Sequence, residues 1–522
     1  NDDVIQYFDV PDIGIDGDAV FELPEPGTLA GALARRLADE PDRPLLHGTW
    51  SGSGSDRPAW ISRGEFLERT ATVAGRLAGA GLAAGDRVLV SGPSSIDLAV
   101  AHVGCLRLGL VVVPTNGAYQ EAELSHVVAD CRPRAALVDH DGWEDRLAGM
   151  DPDLVLTGTA VALPDGGFPV ALDRTSPDDP AIIGYTSGTT GRPKGAVLTQ
   201  ANLLAGARSV QVAWRWTEAD RLLLCLPLFH MHGLGVGLHG TLLAGGSAVL
   251  QPGFDPDAVL EGLAQHRCSM FFGVPTMYHR LADHPRVGDL GGLRLCVAGS
   301  APLAAALHGR LVAAAGVTVL ERYGMTETVM LASNPYDGER RAGAVGFPLP
   351  GVDLRLDPAT GEIQVRGPNV FCGYWERPEA TAEAFLPVGV APTGGSWFRT
   401  GDLGAVDDDG YLSIVGRAKE LIITGGMNVH PREVDDVLAD HPAVADVAVA
   451  GVPSEEWGEE VVAWVVPVSG VPAPDVDDLR DFGRGRLAAH KLPRRVVVVD
   501  SLPRSSLGKV LRHELCEAAA HG

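Results

Sequence analysis

Short apolar runs alternate with helical repeats through the middle of the chain. DRLLLCLPL, SAVLQ, CSMFFGVP and LRLCVAGS read as strands, and GLHGTLLAGG, DPDAVLEGLAQHR and PLAAALHGRLVAAAG between them read as helices. The last two helices open at Asp or Pro, as helix starts do. From about Asp179 to Gly324 this rhythm predicts parallel strands joined by crossover helices, an α/β architecture. Residues 28 to 175 alternate similarly, with helix-like LAGALARRLADE and EFLERTATVAGRLAGAG, and are assigned to the same large domain.

Near Gly410 the order changes to strand, strand, helix, strand, strand, helix, strand: YLSIVGR, KELIITGG, HPREVDDVLADH, VADVAVAGV, EVVAWVVPV, DLRDFGRGRLAAHK and RRVVVVDSLP. That order predicts a separate α+β domain of about 105 residues, an ordinary domain size. A hinge is expected near residues 416 to 420. The expected division is a large N-terminal α/β domain over 1–415 and a small, mobile α+β domain over 416–522.

A length of 522 residues exceeds one hydrophobic core, which agrees with two domains. The 45% hydrophobic share argues against a mainly disordered chain. A formal net charge of −25 speaks against wholesale binding to nucleic acid or anionic lipid, so an anionic ligand needs a local cationic pocket. Seven scattered cysteines without a CxxC pair fit a reducing compartment. The acidic N-terminus lacks signal-peptide features. The most apolar stretch, Leu98 to Pro114, is interrupted by His102 and Arg107 and is shorter than the roughly 20 residues of a bilayer span. A cytoplasmic protein is expected.

The strongest local signal is YTSGTTGRPKG, residues 185 to 195, between two strand-like segments. Glycines 188, 191 and 195 let backbone N–H groups approach an anion. Thr186, Ser187, Thr189 and Thr190 add hydroxyl donors, and Lys194 adds positive charge. The spacing and the absence of a following helix exclude a kinase-type P-loop.

The loop is followed, in order, by YGMTE (323–327), GEIQVRGP (361–368), FRTGD (398–402), GRAKELIITGGMNVHP (416–431) and PRSSLGKVLR (503–512). This set resembles the adenylate-forming superfamily of acyl-CoA synthetases and luciferases, and the resemblance covers nearly the whole chain. It implies an ATP- and acyl-binding N-terminal domain, a C-terminal domain carrying the catalytic lysine, and ATP, Mg2+ and coenzyme A as cofactors. In the implied first step a carboxylate attacks the α-phosphate of ATP to give acyl-AMP and pyrophosphate. In the second, the CoA sulfur displaces AMP.

The resemblance also implies residue roles. Lys509 neutralises charge developing on the leaving pyrophosphate. Thr186, Ser187, Gly188, Thr189, Thr190 and Lys194 surround the phosphates, with Glu327 and Thr190 toward Mg2+. Asp402 accepts the ribose hydroxyls and Arg417 orients the ribose. Tyr323 offers a face to adenine, with Gly299, Ser300, Ala301 and Pro302 on its other side, and Gly324 and Thr326 join the nucleotide site. Lys419 is the hinge about which Lys509 is exchanged for Gly425 and Gly426 beside the pantetheine thiol.

For the acid, VPTMYHRL, AGSAPL, ERYGMTET and SNPYDGERRAGAVGFPLPGV resemble malonyl-CoA and methylmalonyl-CoA synthetases within the superfamily. On the predicted helix, Arg280 follows Met277 by three residues and precedes Leu281, so it is expected to enter the acyl pocket and anchor a second carboxylate. His230 is expected beside the reacting carboxylate, ahead of His232. Ser300 and Met325 are expected at the distal carboxylate and the α-carbon. The rival readings are a synthetase for a medium-chain or aryl monocarboxylic acid and a non-catalytic nucleotide-binding protein. No carrier domain is expected in the chain.

Overall fold

The computed structural model describes residues 27–50, 58–163, 170–186, 193–386, 396–454, 456–505 and 508–520, with backbone alone for 518–520. The apolar runs form the predicted strands Arg221–Leu224, Ser247–Leu250, Met270–Gly273 and Leu295–Ala298, all parallel in a nine-stranded sheet. Leu320–Tyr323 continues the parallel set, with Val297 opposite Leu320. Crossover helices Pro256–Gln265 and Ala305–Ala315 lie between strands, the first capped by Asp255. GLHGTLLAGG departs from a plain helix. It continues a π-helix, His232–Leu238, into the α-helix His239–Ala244. A Cβ at Gly233 would come 2.3 Å from the Pro227 carbonyl oxygen, so glycine permits this tight entry.

A second, seven-stranded sheet carries Arg87–Ser91, Val111–Pro114, Ala135–Val138 and Val155–Thr157 in parallel, and the hairpin Pro180–Thr186/Lys194–Thr199. The helix Ile96–Leu108 is buried along most of its length, so its sequence is apolar nearly all round. A third, antiparallel sheet holds Asp353–Leu356, Glu362–Arg366, Phe398–Val406 and Leu412–Arg417. The segment YLSIVGR, which the rhythm groups with the C-terminal strands, therefore pairs backward with Phe398–Val406.

The remaining strands, Ile422–Thr424, Met427–Val429, Val444–Ser454, Gly458–Pro467 and Arg495–Val498, form a five-stranded sheet. Helix Pro431–Leu438 lays Val434 and Leu438 against Val449, Val461 and Leu479, a core separate from that of the large domain. The architecture is a large α/β domain followed by a small α+β domain. Among the described residues no helix is long and apolar enough to cross a membrane.

Candidate active site

The phosphate-loop motif is built on a hairpin stem. Thr186 and Lys194 are cross-strand partners at its open end. The helix Glu121–Cys131 holds that stem: Tyr185 Oη donates to Asp130 Oδ2 at 2.7 Å, and His126 Nε2 lies 2.8 Å from the Pro193 carbonyl oxygen. Ser187, Gly188, Thr189 and Thr190 lie outside the described residues. Gly184 lets the YGMTE segment lie on the stem, because a Cβ there would come 2.5 Å from Thr326 Cγ2.

YGMTE leaves the strand Leu320–Tyr323 through Gly324, where a Cβ would meet the Val329 carbonyl oxygen at 2.5 Å. Glu327 is buried, and its Oε1 accepts from Tyr374 Oη at 3.0 Å. Burial raises the Glu327 pKa, against the hydrogen bond from Tyr374 and the positive field of Arg417. A buried carboxylate of this kind gains from a cation. It fits Mg2+, a hard ion held by one or two carboxylates that fills its shell with water and phosphate oxygens.

Tyr323 Oη donates to Asp402 Oδ2 at 2.5 Å, and Arg417 Nε lies 2.7 Å from Asp402 Oδ1. Asp402 and Arg417 are antiparallel cross-strand partners, so strand register fixes this pair. Burial opposes the Arg417 charge, but Asp402, Tyr323, Glu420 and Glu327 together outweigh it and the guanidinium pKa is raised.

Lys509, on the small domain, lies within the electrostatic field of Arg417 and Asp402. Its turn is closed by Ser505 N donating to Lys509 O at 2.8 Å and by Lys509 N donating to Ser505 Oγ at 3.2 Å. Gly508 has φ 77°, and a Cβ on it would lie 3.1 Å from Thr276 Cγ2 of the large domain. Burial lowers the Lys509 pKa, the charge of Arg417 lowers it further, and Glu420 and Asp402 work the other way. Lys509, Arg417 and Asp402 thus share one electrostatic neighbourhood. Lys419 is exposed two residues past Arg417, and Gly425 and Gly426 lie exposed on a turn with φ 57° and 77°.

On the acyl side, Arg280, expected to enter the pocket, stands on the exposed face of its helix. Helix Pro275–Ala282 buries Tyr278 and Leu281, and Arg280 is exposed with its guanidinium 5.1 Å over the Phe254 ring. At 100° per residue, position 280 is turned about 200° from Tyr278, away from the buried stripe.

A different guanidinium is buried here. Arg322 is 5% exposed, and its Nε and Nη2 have no hydrogen-bond partner among the described residues. It lies against Gly299, where a Cβ would come 2.3 Å from Nε. Burial lowers the pKa of Arg322 to about 9, which leaves it cationic at neutral pH. Burial and then the Arg322 charge bring His230 down to about 4 and His232 well below the ordinary histidine value, so both imidazoles are neutral. Ser300 has φ 70° and places Oγ 3.4 Å from His232 Nδ1. Met325 is half-buried beside Tyr323 in the same turn. Glu321 accepts from Leu303 N at 2.9 Å and Gly343 N at 3.0 Å, fastening the Gly299–Pro302 segment. Burial lifts its carboxyl to about 7.

The sequence reading missed Arg322, Glu321 and Tyr374. A signal for the first two is present: LERY places two adjacent charges in a strand buried on both faces, where charges are rare without a purpose. For Tyr374 there is none, since its partners are 47 and 180 residues away in sequence.

The family model described as AMP-binding enzyme matches residues 33–375, and that of the AMP-binding enzyme C-terminal domain matches 433–509. The chain belongs to the AMP-binding enzyme family. This AMP-binding enzyme is 38% identical over 515 residues to a sulfoacetate–CoA ligase of Cupriavidus necator, with 94% of the chain and 98% of that relative covered. It is 38% identical over 474 residues to a feruloyl-CoA synthase of an Amycolatopsis species, with 87% and 93% covered. Among solved structures, ATP-bound MatB from Rhodopseudomonas palustris is 39% identical and superposes with a TM-score of 0.85 over 94% of this chain and 98% of that one. A malonyl-CoA ligase ternary product complex with methylmalonyl-CoA and AMP bound, also 39% identical, gives 0.63 over 89% and 98%. The AMP-binding enzyme is an acid–CoA ligase that works through an acyl adenylate, and adenylate-forming CoA ligases use ATP, CoA and Mg2+.

Proposed function

We propose that this ligase activates a short carboxylic acid carrying a second anionic group, with malonate and methylmalonate as its substrates. The observation that carries the reading is Arg322, a buried guanidinium with two unpartnered N–H groups beside His230 and Ser300. An unpaired buried charge is costly, and an anionic ligand end supplies the missing partner. The imidazoles of His230 and His232 are neutral, so the positive charge offered to an anion at this point is that of Arg322. Similarity to a sulfoacetate–CoA ligase and a malonyl-CoA ligase, both concerned with short acids bearing a second negative group, supports it. Similarity to a feruloyl-CoA synthase supports the rival reading of an aryl monocarboxylic acid.

In the proposed first half-reaction the substrate carboxylate oxygen bonds to the α-phosphorus while the bond to pyrophosphate breaks. Asp402 and Arg417 hold the ribose, Tyr323 and the Gly299–Pro302 segment flank the base, and Thr186 and Lys194 stand at the phosphates. Lys509 meets the charge that collects on pyrophosphate. Mg2+, when bound, lowers the charge on the phosphates, and Glu327 is its protein ligand. In the second half-reaction the CoA sulfur bonds to the acyl carbon and AMP leaves with the bonding electrons. The small domain brings Gly425 and Gly426 to the site for that step by turning about Lys419. The better superposition on the ATP-bound structure than on the product complex supports an adenylation arrangement here.

The test is CoA-thioester formation from malonate, methylmalonate, sulfoacetate, propionate and ferulate by the parent enzyme and by Arg322→Leu. Loss of a charge-assisted hydrogen bond of about 1.5–3 kcal/mol lowers kcat/KM for malonate by roughly ten- to a hundredfold, with propionate little changed. A parent that prefers propionate or ferulate, or an Arg322→Leu variant with unaltered preference, overturns the reading.

A further inference from the structure

Tyr374 stands between two groups that the proposed mechanism uses separately. Its Oη donates to Glu327 Oε1 at 3.0 Å, and its ring lies under the Lys194 ammonium at 5.2 Å. The backbone is fixed at the same point. Gly373 and Tyr374 pair antiparallel with Val197 and Ala196, at the edge of the phosphate hairpin. Tyr374 N donates to Thr381 Oγ1 at 2.9 Å, and the next residue, Trp375, donates its N–H to the Gly195 carbonyl at 2.7 Å. Phe371 packs edge-on to the Tyr374 ring at 4.9 Å between centroids. A side chain held at both ends cannot serve one contact by abandoning the other.

From this geometry we infer that Tyr374 is a positioning residue that couples the metal-facing carboxylate of Glu327 to the phosphate-facing cation of Lys194, so that metal and nucleotide phosphates are gripped in one fixed relation. The inference rests on the reading of Glu327 and Lys194 given above. Its two halves separate chemically. The hydroxyl aims Glu327 through a hydrogen bond, and the ring face holds Lys194 by its negative quadrupole. Tyr374→Phe removes the first and keeps the second. Tyr374→Leu removes both.

The test is calorimetric binding of ATP to the full chain without acid or CoA, over a series of Mg2+ concentrations and in chelator. Tyr374→Phe is expected to raise the Mg2+ concentration for half-maximal enhancement of ATP binding about tenfold and to leave metal-free ATP affinity within twofold of the parent. Tyr374→Leu is expected to weaken metal-free ATP binding as well, by about threefold. Adding Tyr374→Phe to Glu327→Gln is expected to change the Mg2+ dependence no further, because the hydroxyl acts through that carboxylate. A merely structural tyrosine would lower the melting temperature and leave these ratios alone. If the parent shows Mg2+-enhanced ATP binding and Tyr374→Phe matches it, the coupling is wrong while the nucleotide reading stands. If the parent binds no ATP with or without Mg2+, the reading beneath it fails too.

Discussion

Gly508 of the small domain lies against Thr276 of the large one, with φ 77° and room for a Cβ only at 3.1 Å from Thr276 Cγ2. An alanine here meets both a left-handed backbone and a near contact, together worth about 1–2 kcal/mol. Gly508→Ala is expected to slow acyl-AMP formation roughly fivefold or more, with thioester formation from preformed acyl-AMP unchanged. Pyrophosphate release and CoA consumption, followed separately by rapid mixing, check this. Equal slowing of both steps contradicts it.

Lys509→Ala removes the cation proposed to face pyrophosphate. Loss of one preorganised charge-stabilising donor typically costs about 10²–10³ in rate, and that loss is expected in adenylation alone. The pH profile adds a sign. Lys509 acts as an ammonium, its pKa is lowered by burial and then by Arg417, and it deprotonates as pH rises through that lowered value. The alkaline limb of adenylation is therefore expected below the ordinary lysine range near about 10.4. Glu420→Gln removes a raising influence and moves that limb to lower pH; a limb that moves upward refutes the assignment.

Arg322→Met replaces a buried, unpartnered cation by an apolar side chain of similar length. Such replacements stabilise by about 1–3 kcal/mol, so the melting temperature is expected to rise by a few degrees while malonate activity is lost. Malonate with ATP raises the melting temperature of the parent by mass action and does so less in the variant. Differential scanning fluorimetry with and without ligand reads both. A variant that melts lower than the parent, yet still responds to malonate, counts against an unpaired charge awaiting a ligand.

Glu321 carries a pH signature of stability. Its folded-state pKa is raised to about 7 by burial, above the ordinary glutamate value. The contribution is fully present below the unfolded pKa, near about 4.3, and is lost as pH rises through 7; over the whole span it amounts to roughly 4 kcal/mol. Glu321→Gln is expected to flatten the fall in melting temperature between about pH 5 and 7.5. An unchanged slope would assign that fall to other groups.

Much of this fold is legible in the chain because its strands are buried on both faces. Met270–Gly273 and Leu295–Ala298 announce themselves as apolar runs, and no alternation is needed to find them. The strand Leu412–Arg417 is equally visible as a strand, but its partner is not: pairing is a property of register and topology, and local rhythm carries neither. The acyl pocket shows the same division. Helical periodicity on Pro275–Ala282 is a local rule, and it places Arg280 close enough to the buried stripe to suggest a pocket residue, although the helix turns it outward. Arg322 is flagged locally as a charge in a buried strand, but its neighbour is not: Gly299, against which it lies, is 23 positions earlier. Tyr374 depends on a chain segment returning to the edge of the phosphate hairpin, and no nearby residue foretells that.

Because Asp402 and Arg417 are joined across the final ladder of the large domain, the proposed ribose contacts belong to that domain and not to the one that carries Lys509. On the proposed mechanism, a swing that begins at Lys419 carries the lysine away and leaves AMP where it was made. The adenylate then serves as a fixed workpiece, and only the chemistry presented to it changes.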